Sequence, residues 1–286
     1  MQEKMIMQTL KAQLDAIVEA QPFTVTWTMQ DLRGGLTLDR DGALVVPSAS
    51  TRKTSILMHA LSEVAAGRLD LAAPCTVEAR LQQGVASGTY QHMTPGVVLP
   101  LRDALVNMII TSDNVGTQLT LERLDRDALN AWCRRIGMVG TTHRGNIPPP
   151  GLGWDHPLEA TATTTANDQV LLLRRILDGT TSAEAAELLG CTPELCRLGL
   201  DILSWQRLRN LIPSLLPAST KVAHKTGRDA RGRSDAGIVF RDGKPLFILA
   251  AYCDRVPETM PDGLPGFAAA YATVGRLARA CWDGLE

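Results

Sequence analysis

The chain has 286 residues, 45% of them hydrophobic, with 29 basic against 30 acidic side chains and a formal net charge of −1. That balance gives no electrostatic case for nucleic acid or a membrane surface, and no apolar run approaches the roughly 20 residues a bilayer-spanning helix needs. A chain this long and apolar can bury a large core, and one domain of two lobes suits the length better than two independent domains.

Residues 1–10 carry Glu3 and Lys4 and are followed by Lys11 and Asp15, so they lack the apolar region of a secretory signal. A cytoplasmic location with reduced cysteines is therefore expected. Cys191 and Cys196 are not spaced as a strong zinc pattern, and Cys75, Cys133, Cys253 and Cys281 are scattered. Buried, unreactive thiols are expected in place of a metal site.

Ile6, Leu10, Leu14, Ile17 and Val18 fall at helical spacing and predict an amphipathic helix over 5–19, ended by Pro22. Residues 23–29 alternate and are rich in β-branched and aromatic types, which predicts a strand, with a second over 36–39 beyond Gly34-Gly35. Asp41-Gly42 marks a turn, and 43–47 lead into a helix over 49–66 whose apolar positions are Ile56, Leu57, Ala60, Leu61 and Val64, stopped by Gly67. The stretch from Gly67 to Pro95 reads as loop, with Ser87-Gly88-Thr89-Tyr90 at a cleft rim.

Helices follow over 101–110, 115–124 and 126–136, the last stopped by Gly137. Residues 143–165 are irregular, since Pro148-Pro149-Pro150-Gly151 fits neither a helix nor a central strand. Further helices are predicted over 168–177, 182–189 and 193–203, and no strand signal appears between about 48 and 190. Strands return over 221–226, 234–240 and 245–252, with Asp242-Gly243 as a hairpin turn, and a helix over 267–282 closes the chain. The pattern is α/β of the α+β type: an antiparallel sheet built from both chain ends, flanked by terminal helices, with an all-helical lobe inserted. The sheet lobe would comprise 1–48 and 212–286 and the helical lobe 49–211, with reactive groups in the cleft between them.

Ser50-Thr51-Arg52-Lys53 sits at the start of the first long internal helix. Residues three apart on a helix share a face, so the Ser50 hydroxyl and Lys53 amine can meet. A serine hydroxyl needs a base to become a nucleophile, and a lysine serves once burial or nearby positive charge lowers its pKa. Unpaired N–H groups at the helix start are ready for an anionic oxygen. A serine and a lysine three apart are common in ordinary helices, and what sets this pair apart is the company of Ser112-Asp113-Asn114 and Lys225-Thr226-Gly227.

Those three elements in that order resemble the set of the class A β-lactamases and penicillin-binding proteins. The likeness runs from the first strands to the C-terminal helix and implies a β-lactamase-like fold. It also implies that Ser50 is the nucleophile, Lys53 the base, Ser112 a proton relay and Lys225 an electrostatic partner. By the same resemblance Asn114, Thr226 and Gly227 bind substrate, and the backbone N–H groups of Ser50 and Arg228 form the oxyanion hole. Asp113 is expected to be structural, and His224, one strand position from Lys225, to face the opposite side and pack in the core. Arg228, Arg231 and Arg233 form a solvated turn or meet a substrate carboxylate.

The family's loop glutamate, in an E-x-x-L-N pattern, is missing; Asp155, His156 and Glu159 are the polar groups of that loop, as substitutes or as loop anchors. Acylation needs only the groups retained, whereas fast deacylation is attributed to the glutamate. The expected activity is a serine hydrolase acting through a Ser50 acyl-enzyme on an ester, lactam or amide of a small molecule, with weak or absent penicillinase activity. The alternatives are a D,D-peptidase-like enzyme, or a non-catalytic sensor stalled at the acyl stage. No metal or organic cofactor is called for.

Overall fold

The computed structural model describes residues 2–285; Met1 and Glu286, the outer bounds of the expected single domain, lie outside them. The chain opens with α1 (Gln2–Glu19), then the antiparallel pair β1 (Thr24–Asp31) and β2 (Thr37–Arg40). Met7, Leu10, Leu14 and Val18 form the buried stripe of α1, while Ile6, expected on that stripe, is 44% exposed. A helix turns about 100° per residue, and the direction shared by positions 10, 14 and 18 lies closer to position 7 than to 6.

After β3 (Val46–Pro47) comes a tight 3-10 turn over Ala49–Arg52 and then α2 (Lys53–Ala65). The helix expected over 49–66 is thus split. Ala49, the first residue of that turn, lies in the left-handed region at φ 43°, a conformation an α-helix does not use, so no α-helix runs from 49.

Next come β4 (Pro74–Thr76), α3 (Ala79–Gln82), β5 (Val98–Pro100), α4 (Leu101–Ile110), α5 (Asn114–Leu121), α6 (Arg126–Arg135) and β6 (Thr163–Thr164). β4 pairs with β5 and β3 with β6, which corrects the expectation of no strand between 48 and 190. Strands of two or three residues are too short to display alternation. The helices α7 (Ala166–Gly179), α8 (Ala183–Leu188) and α9 (Pro193–Ser204) follow, each entered through a hydroxyl cap from Thr165, Ser182 or Thr192. The chain ends with β7 (Val222–Arg228), β8 (Arg233–Arg241), β9 (Lys244–Asp254) and α10 (Gly266–Gly284).

The five long strands form one antiparallel sheet in the order β2-β1-β9-β8-β7, joining both chain ends as expected. One face, including Val25, Trp27, Phe247, Leu249 and Ala251, packs with α1 and α10; the other, including Ile238, Ile248, Ala250 and Tyr252, joins the core of the internal helices. Both faces are covered, so even the polar half of β1 is buried: Thr28 Oγ1 donates to Asn167 Oδ1 at 2.7 Å, at the start of α7. β7 is left as an open edge. Among the described residues no helix is long and apolar enough to cross a membrane.

The irregular loop between α6 and α7 is fastened to the sheet by Arg231 on the β7–β8 turn. Its Nε and Nη2 bond Asp254 Oδ1 and Oδ2 at 2.7 and 2.6 Å, and Nη1 donates to the His156 carbonyl. This bidentate pair is nearly solvent-free, with side-chain exposures of 5% and 12%. Arg231 is therefore neither part of a solvated turn nor free for a substrate carboxylate. Arg231→Met should leave the Asp254 charge unpaired and cost about 3 kcal/mol, read as a lower urea midpoint at unchanged slope.

Candidate active site

Ser50, Lys53, Ser112, Asn114, Thr226, Gly227 and Arg228 all line one cleft of about 760 Å³. Lys225, the remaining residue of the expected set, lies behind the cleft wall with no exposed surface, its Nζ donating to the Thr226 carbonyl at 2.8 Å. His156 also lines the cleft, whereas Asp155 and Glu159 are exposed and outside it.

The 3-10 turn decides how serine and lysine relate. At three residues per turn, positions 50 and 53 eclipse, so the two side chains leave the turn on one side. Among the described residues the Ser50 hydroxyl has no hydrogen-bond partner, and its N–H, in the first turn, has no acceptor within the helix.

Lys53 is 1% exposed. Its Nζ donates to the Ser112 carbonyl and to Asn114 Oδ1, both at 2.8 Å, with Ser112 Oγ at 3.2 Å. Burial pushes its pKa well below the ordinary lysine value; Lys225 and then Arg52 push the same way, and only Asp113 opposes. In the neutral amine two N–H groups serve the two carbonyl-type acceptors, leaving the lone pair for a hydroxyl proton.

The Ser112 carbonyl is aimed by the backbone. α4 ends at Ile110 and Ser112 takes φ 57°, a left-handed conformation that costs a non-glycine residue about 1 kcal/mol. Asp113 is fully buried and structural: Oδ1 caps α5 at Gly116 N, while Oδ2 accepts from the N–H groups of Thr89 and Tyr90 at 2.6 and 2.8 Å. Those bonds hold the 84–91 loop, with Ser87 and Gly88, along the cleft rim. A Cβ on Gly88 would stand 2.2 Å from Asp113 Oδ2, so no larger residue fits this approach.

The third segment arrives on the open edge of the sheet. Asp229 N bonds Gly232 O across the hairpin, so odd-numbered residues of β7 pair with β8. The even-numbered N–H and C=O groups of Thr226 and Arg228 therefore point to the free edge, where Thr226 O receives Lys225. A Cβ on Gly227 would stand 2.2 Å from Ser234 Oγ and 3.1 Å from Ala49 Cβ, so glycine is what lets the serine turn sit against this strand. His224 points to the other face, fully buried, with Nδ1 3.0 Å from both oxygens of Asp235.

Arg228 and Arg233 face each other across β7 and β8 in a non-hydrogen-bonded pair, and both line the cleft. Arg233 lies over the Phe267 ring at 3.4 Å, with Nε bonded to Tyr271 Oη at 3.0 Å. Arg52, which sequence reasoning passed over, is 4% exposed and donates only to the main-chain carbonyls of Arg144, Gly145 and Asn146. Nothing local marks it, because its acceptors are 92 to 94 residues away and carry no side-chain signature. The six cysteines are buried free thiols, and among the described residues no cluster of three or more His, Cys, Asp or Glu could hold a metal.

Residues 9–285 match the beta-lactamase enzyme family, so the chain belongs to it, and family and fold point to a hydrolase. Among solved structures it is similar to a beta-lactamase from Sphaerobacter thermophilus (24% identity, 95% of this chain and 94% of that one, TM-score 0.79). It is also similar to PBP-A (26%, 96% of each chain, 0.79) and to a beta-lactamase from Chitinophaga pinensis (20%, 97% and 100%, 0.83). No curated protein matches it in sequence.

Burial holds Lys225 down to about 7, with Asp235 opposing. That lies below the unfolded value of about 10.4, so in between the unfolded chain holds a proton the folded one has released, and stability rises with pH. Wild type should therefore gain stability over Lys225→Met on going from about pH 7 to about pH 9, by on the order of 1 kcal/mol per unit, as read by urea denaturation.

Proposed function

We propose that this member of the beta-lactamase enzyme family is a serine hydrolase that works through an acyl-enzyme on Ser50. The observation that carries the reading is the solvent-free Lys53 amine, held by two carbonyl-type acceptors on the floor of the cleft that Ser50 lines. Its lone pair takes the Ser50 proton as Oγ bonds to the substrate carbonyl carbon. The oxyanion that forms is received by the N–H groups of Ser50 and Arg228, a pair worth several kcal/mol at roughly 3 per donor. The proton then passes through Ser112 to the leaving group as the ester, lactam or amide bond breaks.

Asp229 supplies the only carboxylate on the cleft wall among the described residues, and its Oδ1 already accepts from the N–H groups of Arg231 and Gly232. With so little acidic surface to activate water, deacylation of a penicillin adduct should be slow. Another solved structure, of a PBP-A point mutant at 26% identity, is an acyl-enzyme complex with penicillin G. That favours, as a second reading, a chain that acylates and stalls, as a D,D-peptidase-like enzyme or sensor does.

The cleft also supports a substrate class. Arg228 and Arg233 leave the same face of adjacent strands, and like charges in that position repel unless an anion lies between them. A small substrate carrying a carboxylate supplies one. The cytoplasmic location and the division into lobes at 48–49 and 211–212 remain part of this proposal, as does the absence of nucleic-acid or membrane partners.

Ser50→Ala should abolish release of p-nitrophenol from p-nitrophenyl acetate, and full turnover in that variant would rule the reading out. Intact-mass spectra after penicillin G separate the two outcomes: a lasting adduct on Ser50 marks the stalled form, and turnover without an adduct the hydrolase. Arg228→Gln should raise KM for carboxylate-bearing substrates by about tenfold or more, in line with the loss of one charged hydrogen bond, and leave uncharged esters unchanged.

A further inference from the structure

We propose that Tyr252 is a positioning residue of this site: its hydroxyl, rising from the middle of the sheet, holds Thr51, Thr51 holds the Ser48 carbonyl, and the turn so closed presents Ser50. The inference rests on the acyl-enzyme reading of Ser50 and adds the group that fixes the nucleophile's backbone.

Tyr252 is buried on β9, paired with Thr26 of β1 on one side and Ser234 of β8 on the other. Its Oη lies 2.8 Å from Thr51 Oγ1, and Thr51 Oγ1 lies 2.6 Å from the Ser48 carbonyl. Counting protons gives the chain its direction. A carbonyl only accepts, so the single Thr51 proton goes to Ser48 O, and the proton between the two hydroxyls comes from Tyr252. Burial raises the Tyr252 pKa above its ordinary value, so that proton is present across the neutral range.

What the chain holds is a turn under strain. Thr51 N also donates to Ser48 O, at 3.0 Å, which makes Ala49–Ser50 the central peptide of the turn. Ala49, at φ 43°, takes a left-handed angle that residues other than glycine keep only where their surroundings over-determine it. Both ends are tied down. Ser48 donates from its N–H and its Oγ to the Ala162 carbonyl, at 2.9 and 3.0 Å, and Thr51 is tied to β9 through Tyr252. Rotation of the Ala49–Ser50 peptide is the way out of the strain, and it carries with it the N–H that would receive the oxyanion. Thr51 Oγ1 is a second donor on Ser48 O, strengthened by the proton it accepts from Tyr252, and it keeps the turn in its strained form.

The hydroxyls can be removed singly or together. Tyr252→Phe keeps the ring and loses the proton; Thr51→Val keeps the shape and loses both bonds; Thr51→Ser keeps the hydroxyl. The double variant Tyr252→Phe/Thr51→Val replaces both partners by apolar groups of the same shape, which leaves no buried hydroxyl unpaired and spares the fold.

Two quantities are measured on the full chain: the second-order acylation rate constant, from the first turnover of p-nitrophenyl acetate, and the Ser50 amide peak of serine-15N protein, assigned by its absence in Ser50→Ala. The rate constant should fall about five- to tenfold in Tyr252→Phe, at least as far in Thr51→Val and the double variant, and stay within about twofold in Thr51→Ser. On the Thr51→Val background Tyr252→Phe should cost nothing more, because it acts through Thr51. The Ser50 peak, single and sharp in wild type, should broaden or double in the slowed variants, while the urea midpoint of the double variant stays near wild type. A merely structural tyrosine moves the midpoint and leaves rate and peak alone. Given a burst that Ser50→Ala abolishes, a wild-type rate constant or an unchanged Ser50 peak in Tyr252→Phe overturns the proposal, as does a Tyr252→Phe effect that persists in full beside Thr51→Val. If Tyr252→Phe does not fold, equal rates in Thr51→Val and Thr51→Ser overturn it equally. A burst that persists in Ser50→Ala while the Ser50 peak behaves as stated would sink the acyl-enzyme reading and leave the positioning of the turn standing.

Discussion

The constraint on which the site depends is the burial of the Lys53 amine. A lysine with 1% exposure must give its N–H groups to acceptors inside the protein, and the two it finds are Ser112 O in the turn after α4 and Asn114 Oδ1 at the first position of α5. That requirement fixes the turn: Ser112 accepts a left-handed backbone so that its carbonyl can face the amine, and Asp113 caps α5 from the other side of the chain. One short stretch thus ends a helix, starts another and solvates the Lys53 amine.

The same economy of space governs the strand edge. Gly227 lets β7 close on the serine turn, and the alternation of the strand then presents the Arg228 N–H to the cleft as it hides His224 against Asp235. Two lysines and an arginine without carboxylate partners meet here, and such a collection weakens a fold. It is tolerated because two large apolar clusters, one on each face of the sheet, hold the elements that carry it.

The loop between α6 and α7 shows a third kind of dependence. It has almost no regular structure, and it is held in position by arginines from elsewhere: Arg231 grips His156 O from the β7–β8 hairpin, and Arg52 grips residues 144–146 from the serine turn. Main-chain carbonyls are the acceptors in both cases. A loop anchored through its backbone can vary its side chains freely, which is why its polar residues Asp155 and Glu159 project to solvent while His156 is drawn inward.

Sequence was sufficient for whatever depends on periodicity or on short-range order. Helical spacing located α2, α4, α6, α7 and α9 to within a few residues, alternation located the five strands of the main sheet, and three short segments in a fixed order picked out residues that, Lys225 apart, line one cleft. It failed where the period is too short to register, as in β4, β5 and β6, or where one backbone angle overrides propensity, as Ala49 does at the head of the 3-10 turn before α2. The tertiary structure alone decided that Arg231 is paired with Asp254, that Arg52 has only carbonyls around it, and that Lys225 stands behind the cleft wall. A residue's charge state and exposure are set by neighbours far along the chain, and a linear text records which residues are present without recording the distances between them.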